Sequence, residues 1–411
     1  MSFRHLWPVA IVRTAIVAIV FIWGCLSCCY TQLVGIIIFK KLSNQPHHLQ
    51  AIINLTKQHF VILMTFLTGL INPLKVFITW DKTTTKNHLF QVDSHGNLQS
   101  NLCHNSILIS NHQIYTDWLF LWWISYTSNL SSYIYIVLKD LSKIPVLGWG
   151  MINFKFLFLT RKWENDKITL TNQLNEIDAD ARGRGPASGI TQVASVNSTS
   201  IKWPPGTTDQ VWPYQLIIFP EGTVTSDRTT KKSAQYCLDK NIPKLNHVLL
   251  PRVRGLFLAL RKLRNSVESV YDFTTGYGNL KPDEYGEIKF SLKRFYILGH
   301  GPPTIHYYVR EFKIADIPLG KDDSDSEDAD PQELMAFESW LYKIWYEKDK
   351  KLQYFYEHGT FDDETEKSQK TVFADLKLRT YYEILTPFIT LFTTILIIRL
   401  IWAFIKNLIF K

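Results

Sequence analysis

A stretch of 25 residues without a charged side chain, 15–39 (AIVAIVFIWGCLSCCYTQLVGIIIF), constrains this chain more than any other feature. A helix that crosses a bilayer needs about 20 apolar residues. Basic residues stand on both sides of the run, Arg4 and Arg13 before it and Lys40 and Lys41 after it, and they leave its orientation open. A secretory leader is the competing reading, but the run is longer than a leader core and no small-x-small site precedes a polar start. A second apolar stretch, 60–80 (FVILMTFLTGLINPLKVFITW), is interrupted by Gly69, Pro73 and Lys75. It reads as a membrane-lying, re-entrant or buried helix. A third, 384–410, carries Arg399 and Lys406 about two turns apart, a spacing that suits snorkelling or the end of a span. These are continuous runs rather than alternating ones, which argues against a closed membrane barrel.

Between the ends the chain is more polar, so the mean hydropathy of −0.05 conceals two kinds of segment. With 46% apolar residues it is neither disordered nor collagen-like. Five cysteines, three of them in the first apolar run, form neither a disulfide framework nor a zinc pattern. The net charge of +8 suits nucleic acid, anionic lipid or a phosphorylated substrate. Nucleic acid is the weakest of these, because no zinc finger, basic helix or RNA-binding signature accompanies the charge. No metal-ligand set and no protein partner can be identified.

The middle reads as a mixed α/β domain. Strands are expected over 105–112, 133–138, 154–161, 214–220, 247–251, 267–277 and 304–314, and helices over 116–126, 163–178, 227–241 and 331–359. Residues 179–209 are rich in Gly, Pro, Ser and Thr and read as a flexible surface insertion, with a glycosylation-type triplet at Asn197. An acidic break follows at 321–330. The expected organisation is membrane-associated segments over 1–84, the α/β domain over 85–315, an acidic linker and helical region over 316–383, and a membrane-associated helix over 384–411.

Three expected strand ends carry unusual polar residues. In NHQIYTDW (111–118), His112 and Asp117 are five positions apart. On one continuous helix they would point about 140° apart. If His112 lies in a turn and the helix starts near Thr116, the chain folds back and Asp117 accepts a bond from the imidazole, which frees the other ring nitrogen as a base. A capping aspartate beside a surface histidine is the competing reading. In IIFPEGT (217–223), Glu221, Gly222 and Thr223 fill the turn after an apolar strand, where glycine lets backbone N–H groups face a ligand and Thr223 can cap the next helix. A tight turn with an exposed Glu fits as well. In LLPRVRGL (249–256), Arg252 and Arg254 suit phosphate. Arg161 is a further cationic strand end and Lys139 a weaker one. No G-x-S-x-G elbow and no P-loop are present.

Taken in order, these blocks resemble the glycerophospholipid acyltransferase family, over roughly 100–315 and, for one branch of it, into the tail. The family's H-x4-D motif is matched by His112 to Asp117. Its second block resembles Lys139, Pro145, Gly148 and the strand ending at Arg161. FPEGT stands at Phe219–Thr223, and the proline-centred block resembles Pro251 and Arg252. VYDFTTGY and WYEKDKKLQYFY resemble the lysocardiolipin and lysophosphatidylinositol branch. The resemblance implies an α/β acyltransferase domain and acyl transfer from acyl-CoA, a co-substrate, to a lysophospholipid hydroxyl, with no tightly bound cofactor. His112 would be the base and Asp117 its partner, and a backbone N–H would stabilise the oxyanion. Glu221, Gly222 and Thr223 would shape the acceptor site, with Glu221 on glycerol hydroxyls or a basic neighbour. Arg161, Arg252 and Arg254 would hold phosphate, and Lys139 would meet the co-substrate. The implied acceptor is lysophosphatidylinositol, with 1-acylglycerol-3-phosphate as the alternative. An inactive lipid-binding protein is a further alternative, against which the intact His112, Asp117 and Glu221 argue. The implied setting is integral to the endoplasmic reticulum membrane, with the catalytic face in the cytosol.

Overall fold

Apolar stripes on both faces of the central strands require cover on both sides, and the architecture supplies it. The computed structural model describes residues 7–81, 88–160, 162–194, 201–204, 212–321, 330–363, 365–366 and 368–409. Its strands are β1 (Lys75–Asp81), β2 (Phe90–Val92), β3 (Leu98–Ser100), β4 (Asn105–Ser110), β5 (Ile134–Lys139), β6 (Leu157–Leu159), β7 (Val193–Ala194), β8 (Ile201–Lys202), β9 (Tyr214–Ile218), β10 (Ser269–Tyr277), β11 (Thr304–Lys313) and β12 (Gln369–Asp375). Eight of them form one mixed sheet in the order β12-β1-β11-β10-β4-β9-β5-β6. The run β10, β4, β9, β5, β6 is parallel throughout, whereas β11 is antiparallel to β10 and β12 antiparallel to β1. Every residue of β4, β9 and β10 is buried, as expected of parallel strands covered on both faces.

The helices are α1 (Trp7–Gly35), α2 (Pro46–Ile71), α3 (Asp117–Thr127), α4 (Leu147–Asn153), α5 (Trp163–Ala181), α6 (Asp227–Asp239), α7 (Val253–Leu263), α8 (Gly286–Lys289), α9 (Pro331–His358) and α10 (Ile389–Ile409). Side chains alternate along each strand. Leu108, Ile136, Ile217 and Phe273 therefore face a core built with α2 and α3, and Ile107, Ile109, Leu216 and Val270 face one built with α5, α7 and α9.

Four expectations change here. The second apolar run is divided: α2 ends at Ile71, before Asn72 and Pro73, and 75–81 is strand β1. Because β1 and β12 both lie in the sheet, the α/β domain extends beyond 85–315 in both directions. Residues 179–181 complete α5 and are buried, and Asp180 accepts a bond from the Ala187 N–H at 2.8 Å, so the expected flexible insertion is folded at its start. Asn197 lies outside the described residues. The fourth change is at 247–251, which forms no strand; helix α7 begins directly after Arg252.

Among the described residues, three helical stretches are long and apolar enough to cross a membrane: Ile11–Leu42, Pro46–Ile71 and Tyr381–Leu408. They differ in surroundings. α2 is largely packed inside the protein, whereas the outer face of α1 and nearly all of α10 are exposed and apolar, with Trp402 68% and Leu400 61% exposed. Such surfaces indicate membrane association. α1 and α2 approach closely: a Cβ on Gly24 would stand 2.4 Å from Leu63 Cδ2, and one on Gly35 2.7 Å from Ile52 Cγ2.

Candidate active site

Parallel strands deliver their carboxyl ends to one edge, where ligand crevices of α/β sheets form. The segments after β4 and β9 and the last residue of β10 meet there. β10 extends past the end of β4. The Asn111 side chain continues the pairing in place of backbone, donating from Nδ2 to the Thr275 carbonyl at 3.0 Å and accepting the Thr275 N–H on Oδ1 at 2.8 Å. The backbone itself is thereby released from the ladder, and His112 stands in the turn beyond it.

α3 begins at Asp117, so the turn 112–116 wraps its carboxylate. Asp117 Oδ2 accepts the Gln113 N–H at 2.7 Å and the Ile114 N–H at 3.1 Å, and it lies 2.8 Å from His112 Nδ1. A carboxylate only accepts, so Nδ1 carries the proton and Nε2 the lone pair. Among the described residues nothing hydrogen-bonds Nε2. Asp117 Oδ1 accepts from the Tyr277 hydroxyl. Burial and the Asp117 charge push the Tyr277 phenol well above its ordinary pKa, so it remains a donor. The imidazole stacks on Phe219 with centroids 4.3 Å apart, and its side chain is 16% exposed.

The 219–225 turn grips the backbone of His112. Glu221 Oε2 accepts the His112 N–H at 3.3 Å, and the Thr225 N–H and Oγ1 donate to the His112 carbonyl at 2.9 and 3.1 Å. Glu221 is 2% exposed, and its other oxygen accepts from Trp345 Nε1 of α9 at 3.4 Å. The carboxylate therefore faces internal donors rather than an open acceptor site. Burial raises the Glu221 pKa to about 8, against the opposing pull of the His112 N–H, Trp345 and Lys348.

With a folded pKa above the ordinary 4.5, Glu221 contributes stability that is complete below pH 4.5 and lost as pH rises through about 8. The Tm of the wild-type chain is accordingly expected to fall between about pH 5 and pH 8, and Glu221→Gln to reduce that slope. Thermal unfolding in one detergent across this range measures it, and equal slopes would remove Glu221 from the pH dependence.

Gly222 has φ of 70°, a left-handed conformation that favours glycine. A Cβ there would also stand 3.1 Å from Arg252 Cδ. Arg252 is exposed at the N-terminal boundary of α7, its N–H donating to the Pro220 carbonyl at 2.7 Å, so the turn and the arginine are joined although 247–251 is not a strand. Arg254 is exposed in the first turn of α7, and Lys139 is exposed at the carboxyl end of β5. Thr223 is half-buried and does not cap the next helix; Ser226 does so, in a capping box with Thr229. Arg161 lies outside the described residues.

Sequence reasoning missed Asn111, Tyr277, Trp345 and Lys348. Lys348, fully buried on α9, donates to Asp272 Oδ1 and to the Phe273 carbonyl, both at 2.7 Å, and Arg310 holds the second Asp272 oxygen. Burial brings the Lys348 pKa down to about 8 despite the Asp272 charge. These bonds fix α9 on β10 and so place Trp345 behind Glu221. No local signal in the α9 sequence marks this role.

Two protein families match the chain, described as Acyltransferase (residues 91–278) and Acyltransferase C-terminus (residues 296–379). The chain is 37% identical to a 2-acyl-1-lysophosphatidylinositol acyltransferase of Saccharomyces cerevisiae, over 93% of this chain and 94% of that protein. A probable 1-acyl-sn-glycerol-3-phosphate acyltransferase of Arabidopsis thaliana is 27% identical over 88% of this chain and 76% of its own length. A lysocardiolipin acyltransferase of Gallus gallus is 28% identical over 64% and 57%. No solved structure matches significantly. The first family match runs through both the His112–Asp117 turn and the turn that grips it, and the second contains the helix behind Glu221, so this chain belongs to the acyltransferase family.

Proposed function

We propose that this enzyme transfers a fatty acyl chain from acyl-CoA to the free sn-1 hydroxyl of a 2-acyl-lysophosphatidylinositol, in phospholipid remodelling. The supporting observation for the chemistry is the His112–Asp117 pair, with Nδ1 engaged and Nε2 left as the basic nitrogen at the sheet's carboxyl edge. The support for the acceptor is the likeness to the Saccharomyces cerevisiae enzyme over nearly the whole length of both chains.

In this reaction Nε2 takes the acceptor's hydroxyl proton as its oxygen attacks the thioester carbonyl. The tetrahedral intermediate collapses, the C–S bond breaks, and the departing thiolate takes the proton back from the imidazolium. Asp117 stabilises that imidazolium and holds the ring. The acceptor oxygen is the nucleophile, so no acyl-enzyme forms. Glu221 braces the His112 backbone, Gly222 permits the turn, and Thr223 borders it. Arg252, Arg254 and Arg161 serve phosphate, with Lys139 a further cation for the CoA. The setting is the endoplasmic reticulum membrane, with the site facing the cytosol.

A panel of 1-lyso and 2-lyso phospholipids, assayed with several acyl-CoAs on the reconstituted chain, tests the reading. Preferential transfer to 2-acyl-lysophosphatidylinositol supports it, and preference for lysophosphatidic acid replaces it with the glycerol-3-phosphate alternative. Arg252→Ala is expected to raise the acceptor KM by about tenfold, the loss of one charge-assisted contact. An unchanged acceptor KM and rate would remove Arg252 from the phosphate site.

A further inference from the structure

Between β10 and β11 the chain runs over the surface as α8, a linking turn and a π-helical turn (Lys293–Ile297). Its side chains are sorted by direction. Gly286, Phe290 and Phe295 are buried; Phe290 packs on Tyr277 and Phe295 on Phe120 of α3. Ile288 (65%), Leu292 (50%), Ile297 (45%) and Leu298 (39%) are exposed. Lys293 and Arg294 stand exposed among them. An apolar outward face bordered by basic residues is the pattern of an element lying in a membrane interface.

The position of the segment specifies the occupant. Thr14 Oγ1 of α1 donates to the Ile297 carbonyl at 3.0 Å, so the patch continues the apolar outer face of α1, where Ile11, Ile16 and Ile19 are exposed. Arg13 lies against Gly299, and its Nε and Nη2 are buried without a hydrogen-bond partner. The other end of the segment reaches the active site. Tyr115, in the turn between His112 and Asp117, donates to Glu287 at 3.2 Å, and a Cβ on Gly286 would stand 2.7 Å from the Gln113 carbonyl.

We propose that residues 286–298 are an interfacial lipid-docking element. Ile288, Leu292 and Ile297 enter the acyl-chain boundary, and Lys293 and Arg294 meet anionic phosphates. The element extends the membrane contact of α1 to the edge of the catalytic turn. Only this last point, delivery of a membrane-borne acceptor to His112, rests on the proposed function.

The test needs no turnover. Spin labels are placed by Ile288→Cys, Leu292→Cys and Ile297→Cys in the full-length chain carrying Cys29→Ser, the four other cysteines being buried. Lys232→Cys on α6 is the aqueous control. In nanodiscs holding one chain, the three labels are expected to collide more with oxygen and less with a nickel chelate than the control. The difference should grow when phosphatidylserine is added to phosphatidylcholine, and Lys293→Glu with Arg294→Glu should abolish that growth. Control-like collision rates would overturn the proposal, and so would shielding from both reagents, which marks a protein partner. If the labels lie in lipid while the acceptor panel fails, the docking element stands and the acceptor reading falls.

Discussion

Replacing His112 with alanine is expected to reduce acyl transfer by about 10²- to 10⁴-fold, the contribution of a positioned general base. The fold is expected to persist. Both backbone groups of His112 keep their partners in the 219–225 turn, and Asp117 retains three donors: the Gln113 and Ile114 N–H groups and the Tyr277 hydroxyl. Membrane association and Tm should therefore stay close to wild type while single-turnover transfer from labelled acyl-CoA is lost. Transfer near the wild-type rate would show that His112 is not the base.

Asp117→Asn separates charge from geometry. The Asn oxygen can take the Oδ2 position, still accepting from His112 Nδ1 and from the two backbone N–H groups, while its amide nitrogen faces Tyr277, whose hydroxyl then accepts. The imidazole keeps its orientation but loses the negative charge that stabilises it as imidazolium. A loss of about 10²- to 10³-fold in kcat is expected, as for removal of one preorganised electrostatic partner, with a small change in acceptor KM. A drop confined to KM would assign Asp117 to binding instead. Tyr277→Phe, which removes a single donor to the other oxygen, is expected to cost less than the Asn variant.

The parts of the site readable along the chain were those whose partners are close in sequence. His112 and Asp117 meet within one turn, so a strand end, a polar turn and a helix start were enough to suggest their pairing. Glu221 was visible as a strand-end residue, but its partners were not. The His112 N–H comes from another strand's end and the Trp345 indole from α9, and the spacing of neither reveals the contact. The arginines at 252 and 254 illustrate a local ambiguity: a short apolar run before a basic pair fits a strand end as well as a helix start. Here the chain enters α7 with Arg252 at its boundary.

Composition alone identified the apolar ends, because a charge-free run of this length is decided by its own residues whatever the rest of the chain does. It did not distinguish lipid from protein interior as the surroundings of an apolar segment, since both favour the same side chains. Tertiary structure made that distinction, dividing the 60–80 run between a helix packed on the domain and strand β1, and leaving α10 exposed. It alone placed β1 in the sheet with β12 as its edge and α9 behind Glu221, because strand pairing and helix docking depend on contacts between residues far apart in the chain. The catalytic pair was written locally; the support that holds it was assembled only by the fold.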